Sequence, residues 1–286
     1  MKIGDIVVRR SYGKDITFKI IDVREIDGKE SVILKGINIR IIADSTLDDL
    51  ELAEEDSGST DKILNTRVKE SITKAINIRG ELRNKTEKSA KIKNKDELIF
   101  GRPGKILHVD GDSEYMETCL KVYKQLSLDA VGKAIPESEQ PDVIVELVKE
   151  VKPDIVVLTG HDSVLRDPKD YLDLNNYRNS KYYLESVKNL RNYNSSYDEL
   201  VIFAGACQSC YERILDVGAN FASSPNRVLI HCLDPVFVCE KIAYTRIDKV
   251  VSITDVIENT ITGIKGVGGL QTRGKYREGY PKSSYI

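Results

Sequence analysis

The sequence predicts an α/β protein whose main domain is a mostly parallel β-sheet flanked by helices, in three layers. Two segments, 153–162 and 199–208, each contain a continuous apolar, β-branched run, the pattern of a strand buried on both faces. Segments with helical apolar periodicity lie between such runs, and repeated strand and helix units build parallel sheets. A group of short β runs before residue 57 predicts a small additional β domain.

Residues 1–56 predict a small SH3-like β-barrel. Short β runs at 5–8, 16–23, 31–34 and 37–42 are separated by turns that contain glycine. The region carries nine Lys and Arg against thirteen Asp and Glu, which argues against nucleic acid as a partner. We expect it to pack against the rest of the chain or to dock substrates.

Residues 57–102 predict a basic linker. Between residues 57 and 100 there are eleven Lys and Arg but only six Asp and Glu, and the apolar positions are sparse. We therefore expect a mobile or weakly helical segment. The α/β domain then spans 103–286. Asp112 is suited to cap its first helix, and Pro141 to begin its second. The later predicted elements are helices near 180–193, 208–217 and 235–244 and a strand at 227–231.

Composition is that of an ordinary globular protein: 286 residues, 41% hydrophobic and 31% charged, with a net charge of −2. No apolar stretch approaches the roughly 18 residues that cross a membrane, and the first residues lack the apolar block of a signal peptide. We therefore expect a cytoplasmic protein without a membrane partner. The five cysteines, an odd number in apolar segments, favour reduced thiols.

Each of the two most apolar strands ends in small residues and is followed by a reactive side chain. His161 follows Gly160, and Cys207 follows Gly205 and Ala206. Neighbouring parallel strands end at the same edge of a sheet, where α/β proteins keep their binding sites. An adjacent imidazole and a helix N-terminus lower the pKa of a thiol enough to make it a nucleophile. The sequence therefore predicts a catalytic dyad of Cys207 and His161.

The same turns predict a site for the oxyanion of an acyl-transfer intermediate. The backbone N–H groups of Gly160, Asp162 and Cys207 are the candidates, because donors fixed near the nucleophile stabilise that charge.

Other interpretations of these residues stay open. Cys207 and His161 could be a buried thiol and a structural loop histidine. Cys207 and Cys210 could bind zinc with His231 and Cys232, although adjacent strand residues point to opposite faces and so disfavour this. Cys207 with the downstream His231 would suit a glutaminase-type amidase only poorly. We predict no metal and no cofactor.

Longer motifs carry a family resemblance: LTGHD at 158–162, YRNSKY at 177–182, FAGACQS at 203–209 and GANFASSP at 218–225. With them the chain resembles, nearly from end to end, the YabG-type sporulation-specific peptidases of endospore-forming Firmicutes. The resemblance implies a protease that acts late in spore formation on coat and cortex-associated proteins, in the mother cell and at the spore coat. It places the catalytic dyad on His161 and Cys207.

The two strand ends also resemble those of caspase- and clostripain-type cysteine peptidases, in which one strand ends in His-Gly and another in Ala-Cys. Ala206 and Cys207 fit that pattern, whereas His161 is followed by Asp162. The 46-residue separation of His161 and Cys207 is similar to the roughly 50 residues of caspases. The resemblance implies a caspase-like sheet, with a flavodoxin-like one as the alternative.

The predicted function is cysteine endopeptidase activity on spore coat and cortex-associated proteins. The peptidase resemblance implies cleavage after Arg or Lys in an acidic pocket, for which Asp162, Asp198 and Asp234 are the candidates near predicted strand ends. A non-enzymatic scaffold for spore coat assembly is the alternative.

Self-processing is a further expectation from the sequence. Arg67, Arg79 and Arg83 lie in the basic linker and would offer cleavage sites to an enzyme with basic specificity.

Overall fold

The computed structural model describes residues 1–26, 29–54, 57–89 and 99–283. An N-terminal antiparallel sheet is followed by a long helix and then by an α/β domain. Within the described residues, no helix is both long enough and apolar enough to span a bilayer.

The N-terminal sheet has five antiparallel strands around a small apolar core. They are β1 (Ile6–Arg9), β2 (Thr17–Ile26), β3 (Lys29–Gly36), β4 (Ile42–Ser45) and β5 (Leu50–Leu52), in the order β4-β3-β2-β1-β5. The predicted closed, SH3-like barrel is not found, because the edge strands β4 and β5 do not pair with each other in the described residues. The predicted strand at 37–42 is also wrong: 37–41 connect β3 to β4 and lie against the α/β domain.

The predicted linker contains α1 (Ser59–Ser89). Leu64, Val68, Ile72 and Ala75 recur on one face of this helix and pack against the core of the α/β domain. The sparse apolar positions therefore form a real packing stripe, and the helix is held to the domain that follows it.

The α/β domain contains a six-stranded sheet in which five strands are parallel. They are β7 (Ile106–Asp110), β8 (Ala130–Ala134), β9 (Ile155–Thr159), β10 (Val201–Ala204), β11 (Phe221–Ser223) and the antiparallel β12 (Val267–Gly269). The order β12-β11-β10-β9-β7-β8 confirms the predicted mostly parallel sheet. Read from the other end, the five parallel strands lie in the order β8-β7-β9-β10-β11, which is the flavodoxin-like order 2-1-3-4-5. A separate antiparallel pair joins β6 (Phe100–Arg102) to β13 (Arg277–Gly279).

Helices cover both faces of this sheet. They are α2 (Ser113–Gln125), α3 (Gln140–Val151), α4 (Ser180–Tyr193), α5 (Tyr211–Asp216), α6 (Asp234–Tyr244) and α7 (Ile253–Asn259). Apolar residues of α1, α2, α6 and α7 pack on one face, and those of α3, α4 and α5 on the other. Asp112 caps α2 by accepting the N–H groups of Glu114 and Tyr115, as predicted.

Two local predictions near Cys207 are wrong. The apolar run at 227–231 is not a strand but a loop, half-buried at 227–229 and buried at 230–231, and β11 forms from 221–223 instead. The helix after Cys207 begins only at Tyr211, so the thiol does not lie directly at a helix N-terminus.

Candidate active site

His161 and Cys207 lie at the same edge of the sheet. Strands β9 and β10 are neighbours, and Leu158 pairs with Ala204 in their parallel register. His161 and Cys207 each follow that pair by three residues. The chain direction of both strands therefore places the two side chains beyond the carboxyl ends of the sheet, where the sequence predicts them.

Glycine at position 160 is required by its surroundings. Gly160 has a φ of +155°, and a Cβ atom there would lie 2.1 Å from Oε1 of Glu137. The absence of a side chain lets this carboxylate approach the loop and accept the backbone N–H of His161 at 2.6 Å. Gly160 thus makes room for a residue that fixes the position of the histidine.

The imidazole of His161 lies between two carboxylates. Its Nδ1 is 3.8 Å from Oε1 of Glu137, and its Nε2 is 3.7 Å from Oδ2 of Asp112. The ring packs against that of Tyr115, with 5.7 Å between the centroids. Burial acts to raise the pKa of Glu137, but the backbone N–H and the neighbouring imidazole of His161 outweigh it and lower that pKa. An ionised carboxylate beside a histidine orients a catalytic imidazole.

The thiol of Cys207 is buried, with 1% of the residue exposed. Its Sγ accepts the backbone N–H of Ile230 at 3.1 Å and lies 3.9 Å from the oxygen of the same residue. Burial raises the pKa of the thiol to about 12, although the Ile230 N–H and Arg40 act to lower it. The thiol is therefore protonated at neutral pH in this conformation.

The thiol and the imidazole do not hydrogen-bond to each other in this structure. Nε2 of His161 is buried and has no hydrogen-bond partner among the described residues, and the thiol bonds only to Ile230. The two residues of the predicted dyad share one sheet edge, but a proton transfer between them would require a movement from this arrangement.

The three predicted oxyanion donors are not used in the hydrogen bonds of the described residues. Among the described residues, the backbone N–H groups of Gly160, Asp162 and Cys207 donate to no protein acceptor. The neighbouring N–H groups are occupied: Ala206 donates to Oγ of Ser209, and Gln208 donates to the oxygen of Val228.

The carboxylate of Asp162, a predicted substrate-binding group, instead holds loops together. It accepts the N–H groups of Ser163 at 2.9 Å and Asn179 at 2.8 Å, and the hydroxyls of Ser180 at 2.5 Å and Ser209 at 2.8 Å. Burial raises the pKa of this carboxyl group, against the effect of these hydrogen bonds. Through Ser209, Asp162 connects the loop of His161 to the turn of Cys207.

The two other predicted substrate carboxylates lie in different places. Asp198 precedes β10 and therefore lies at the amino edge of the sheet, opposite Cys207, where it accepts the N–H of Arg273 at 3.0 Å. Asp234 is fully buried at the start of α6 and accepts the N–H groups of Ile261 at 2.7 Å and Thr262 at 3.0 Å. Both carboxylates are occupied by internal hydrogen bonds.

Asp162→Asn is expected to destabilise the fold. An amide cannot accept from four donors at once, so at least one buried donor loses a charge-assisted hydrogen bond, at about 1.5–3 kcal/mol. Urea unfolding at pH 7 should show this as a lower midpoint with an unchanged slope. The exposed Asp167→Asn substitution is the control and should leave the midpoint in place. Equal midpoints in the two variants would show that Asp162 does not join the loops.

Several residues at this edge were not identified from the sequence as site residues. Glu137 comes from a short 3-10 helix after β8, Tyr115 from α2, and Arg40 from the N-terminal domain. Asp110 ends β7, next to β9, and pairs with Arg40 at 2.6 Å. Position at or just after a strand's carboxyl end was an available signal for Asp110 and Glu137, whereas Tyr115 and Arg40 arrive through tertiary packing.

The thiols proposed as alternative zinc ligands make other contacts. Cys210 Sγ lies 3.5 Å from the oxygen of Tyr171, whereas Cys207 contacts Ile230. In the part of the chain that the structure describes, no three His, Cys, Asp or Glu side chains are grouped to hold a metal ion. A surface cavity of about 500 Å3 lies between α1, α6 and α7, lined by Arg79, Glu240 and others, and contains neither His161 nor Cys207.

Comparison with known proteins gives one family across the chain. The family model described as YabG peptidase U57 matches residues 2–281. The "Sporulation-specific protease YabG" of Bacillus subtilis (strain 168) is 41% identical over 286 residues, which covers 99% of this chain and 99% of that protein.

Proposed function

The chain belongs to the YabG peptidase family U57, and from that premise we propose that it is a cysteine endopeptidase of sporulating cells, with Cys207 as nucleophile and His161 as general acid and base. One observation carries the assignment of residues. Both side chains follow the matched pair Leu158 and Ala204 on adjacent parallel strands. A nucleophile and a base on two neighbouring strands meet at one crevice, as acyl transfer requires.

The proposed reaction uses the two residues in sequence. The Cys207 sulfur bonds to the scissile carbonyl carbon as the thiol proton passes to His161, and the imidazolium then protonates the departing amine as the C–N bond breaks. His161 next takes a proton from water, which attacks the acyl-enzyme and releases the carboxylate product and the thiol. The N–H groups of Gly160, Asp162 and Cys207 are the proposed oxyanion donors.

Two carboxylates have positioning roles in this proposal. Glu137 holds the His161 backbone through its N–H and lies near Nδ1, and Asp112 lies near Nε2. Neither touches the substrate in the proposed reaction, but together they keep the ring at the edge shared with Cys207.

The proposed substrates are spore coat and cortex-associated proteins, cut after basic residues by an enzyme made in the mother cell and acting at the spore coat. The family membership and the name of the Bacillus subtilis relative support a role in sporulation. A buried carboxylate, Asp110, already receives an arginine side chain at the active edge, which supports the basic specificity.

Self-processing in α1 would require local unwinding of that helix. Arg67 donates to the oxygen of Ile261 at 3.3 Å, and Arg79 donates to the oxygen of Leu126 at 2.7 Å. The side chain of Arg83 lies outside the described residues. Peptidases bind extended chains, so we expect cleavage at Arg67 or Arg79 only after this packing is lost.

Proteolysis of a mixed spore coat extract tests the proposed function. We expect the wild-type protein to produce new peptides ending in Arg or Lys, and Cys207→Ala to produce none, as measured by mass spectrometry of new termini. Identical products from both proteins would refute cysteine catalysis. The absence of any new terminus with either protein would favour the scaffold function instead.

A further inference from the structure

A segment of the N-terminal domain covers the loop beside Cys207. Residues 37–41 leave the N-terminal sheet between β3 and β4 and pair in an antiparallel manner with 230–232. The N–H of Arg40 donates to the oxygen of Ile230 at 3.2 Å, and the N–H of Cys232 donates to the oxygen of Asn38 at 2.9 Å. An extended segment that adds to an exposed backbone edge is a common mode of peptide binding.

The same peptide edge holds the thiol. Ile230 donates its N–H to Cys207 Sγ and accepts the N–H of Arg40 through its oxygen. One residue, Ile230, therefore bonds both to the paired segment and to the proposed nucleophile. A substrate that approaches Cys207 would have to approach this loop.

The Arg40 side chain fills a buried site at the sheet edge. It is 1% exposed, its Nη2 lies 2.6 Å from Oδ2 of Asp110, and the same atom donates to the oxygen of Cys232 at 3.3 Å. Its Nε and Nη1 are buried, and the residues that the structure describes give them no hydrogen-bond partner. A buried ion pair is normally satisfied in full, and two unpaired nitrogens are what we expect of an occupant that can be exchanged.

Residues in and next to this segment also contact side chains that surround His161. The hydroxyl of Tyr115, whose ring packs on His161, lies 2.6 Å from the oxygen of Gly36 and 2.8 Å from that of Ile39, which share its one proton. Lys35 pairs at 2.7 Å with Asp112, the carboxylate near His161 Nε2. The segment and the residues before it thus contact the neighbours of His161 as well as the loop that holds Cys207.

The backbone beyond Arg40 turns away from an extended path. The N–H of Ile41 donates to the oxygen of Ile39 at 2.8 Å, which closes a tight turn around Arg40. A peptide bond in such a turn is not presented as an extended chain, so the segment is held without being cut.

We propose that residues 37–41 are an internal blocking peptide: they occupy the substrate groove formed by 230–232 and Asp110, and a substrate must displace them to reach Cys207. The inference rests on the proposed peptidase function. The occupant that replaces them is an extended peptide with an arginine, whose guanidinium pairs with Asp110 as that of Arg40 does. The high pKa of the covered thiol agrees with a latent state.

Selective unmasking of Cys207 tests the proposal without requiring catalysis. The full-length protein and Arg40→Ala are treated with iodoacetamide at pH 7.5, and modification at each cysteine is followed by mass spectrometry. Loss of one member of a buried charge pair at an interface weakens the contact by roughly tenfold or more, so alkylation of Cys207 should accelerate by that factor. Cys239, buried in α6, reports global unfolding. The matched control is Arg24→Ala in the N-terminal sheet, where Arg24 pairs with Asp22 and with no other acidic group of the described residues.

If Arg40→Ala unfolds, alkylation of Cys239 will accelerate as much as that of Cys207. In that case a peptide-inhibition experiment on the wild-type protein decides the question. A synthetic peptide of residues 36–41, GINIRI, should inhibit hydrolysis of a peptidyl-arginine amide competitively, and GINIAI should bind roughly tenfold or more weakly. Unchanged Cys207 alkylation in a folded Arg40→Ala protein, equal inhibition by the two peptides, or cleavage after Arg40 would each overturn the blocking role. Selective alkylation in a protein that cuts no peptide would support the occlusion and refute the peptidase function.

Discussion

Cys207→Ala is expected to lower the rate of peptide-bond cleavage by about 10⁴-fold or more. Removal of the nucleophile leaves only binding and oxyanion stabilisation, and losses of that order are typical for covalent catalysts. The measurement is the initial rate of hydrolysis of a fluorogenic peptidyl-arginine amide at pH 7.5, with circular dichroism to verify folding. Alanine removes only a sulfur atom from a site that contacts Ile230, so the fold should survive.

Cys210→Ala is the matched control for this prediction. Cys210 lies in the same turn, is also buried, and contacts the oxygen of Tyr171 rather than the dyad. Its activity should stay within a few fold of the wild type, about 1 kcal/mol or less in the activation barrier. A large loss of activity in Cys210→Ala, combined with an active Cys207→Ala, would show that Cys210 and not Cys207 is the nucleophile.

His161→Ala is expected to lower kcat by about 10²–10⁴-fold with little change in KM, because general acid and base catalysis contributes that much to the chemical step. His231 is an alternative candidate for the base. His161 and His231 each have a buried Nε2 without a partner among the described residues, and His231 follows Ile230, which holds the thiol. Burial lowers the pKa of His231 to about 3, so this ring is a weak base, and the imidazolium that the reaction needs as an intermediate is strongly disfavoured on it.

His231→Asn separates the two histidines. Nδ1 of His231 accepts the N–H of Leu233 at 3.1 Å, and the amide oxygen of asparagine can take over that bond while Nε2 is removed. We expect His231→Asn to retain activity within about tenfold. Stopped-flow or initial-rate measurements of kcat for both variants decide the case, and a full loss in His231→Asn with an active His161→Ala would transfer the base role to His231.

The sequence predicts the sheet edge of this site well because the signal is local. The apolar runs that end at Thr159 and Ala204 fix two buried strands, and Gly160 and Gly205 mark the turns that follow them. The parallel register then brings His161 to the same edge as its partner thiol. Each step uses residues close together in the chain.

The contacts that cover the site could not be predicted in this way. Arg40 and Asp110 are 70 positions apart, and nothing in the sequence around Arg40 distinguishes a buried arginine from an exposed one. The run at 227–231 has the composition of a strand, but its backbone N–H and C=O groups serve Cys207 and the segment 37–41 instead of a sheet. Tertiary contacts override β-propensity there.

The carboxylates predicted to bind substrate show a related limit. Asp198 and Asp234 lie near the ends of predicted strands, but proximity in sequence does not tell which edge a side chain reaches. Asp198 lies before its strand and binds Arg273, whereas Asp110 ends its strand at the edge where His161 and Cys207 lie. Chain direction through each strand was the deciding property.

Covalent trapping of the nucleophile tests the central claim most directly. The active protein is inactivated with a peptidyl-arginine chloromethyl ketone during turnover of substrate, and the adduct is located by peptide mapping with mass spectrometry. The account predicts one thioether adduct, on Cys207, that is absent from Cys207→Ala and forms far more slowly in His161→Ala. Complete inactivation with the adduct on another residue, and an unmodified Cys207, would contradict it.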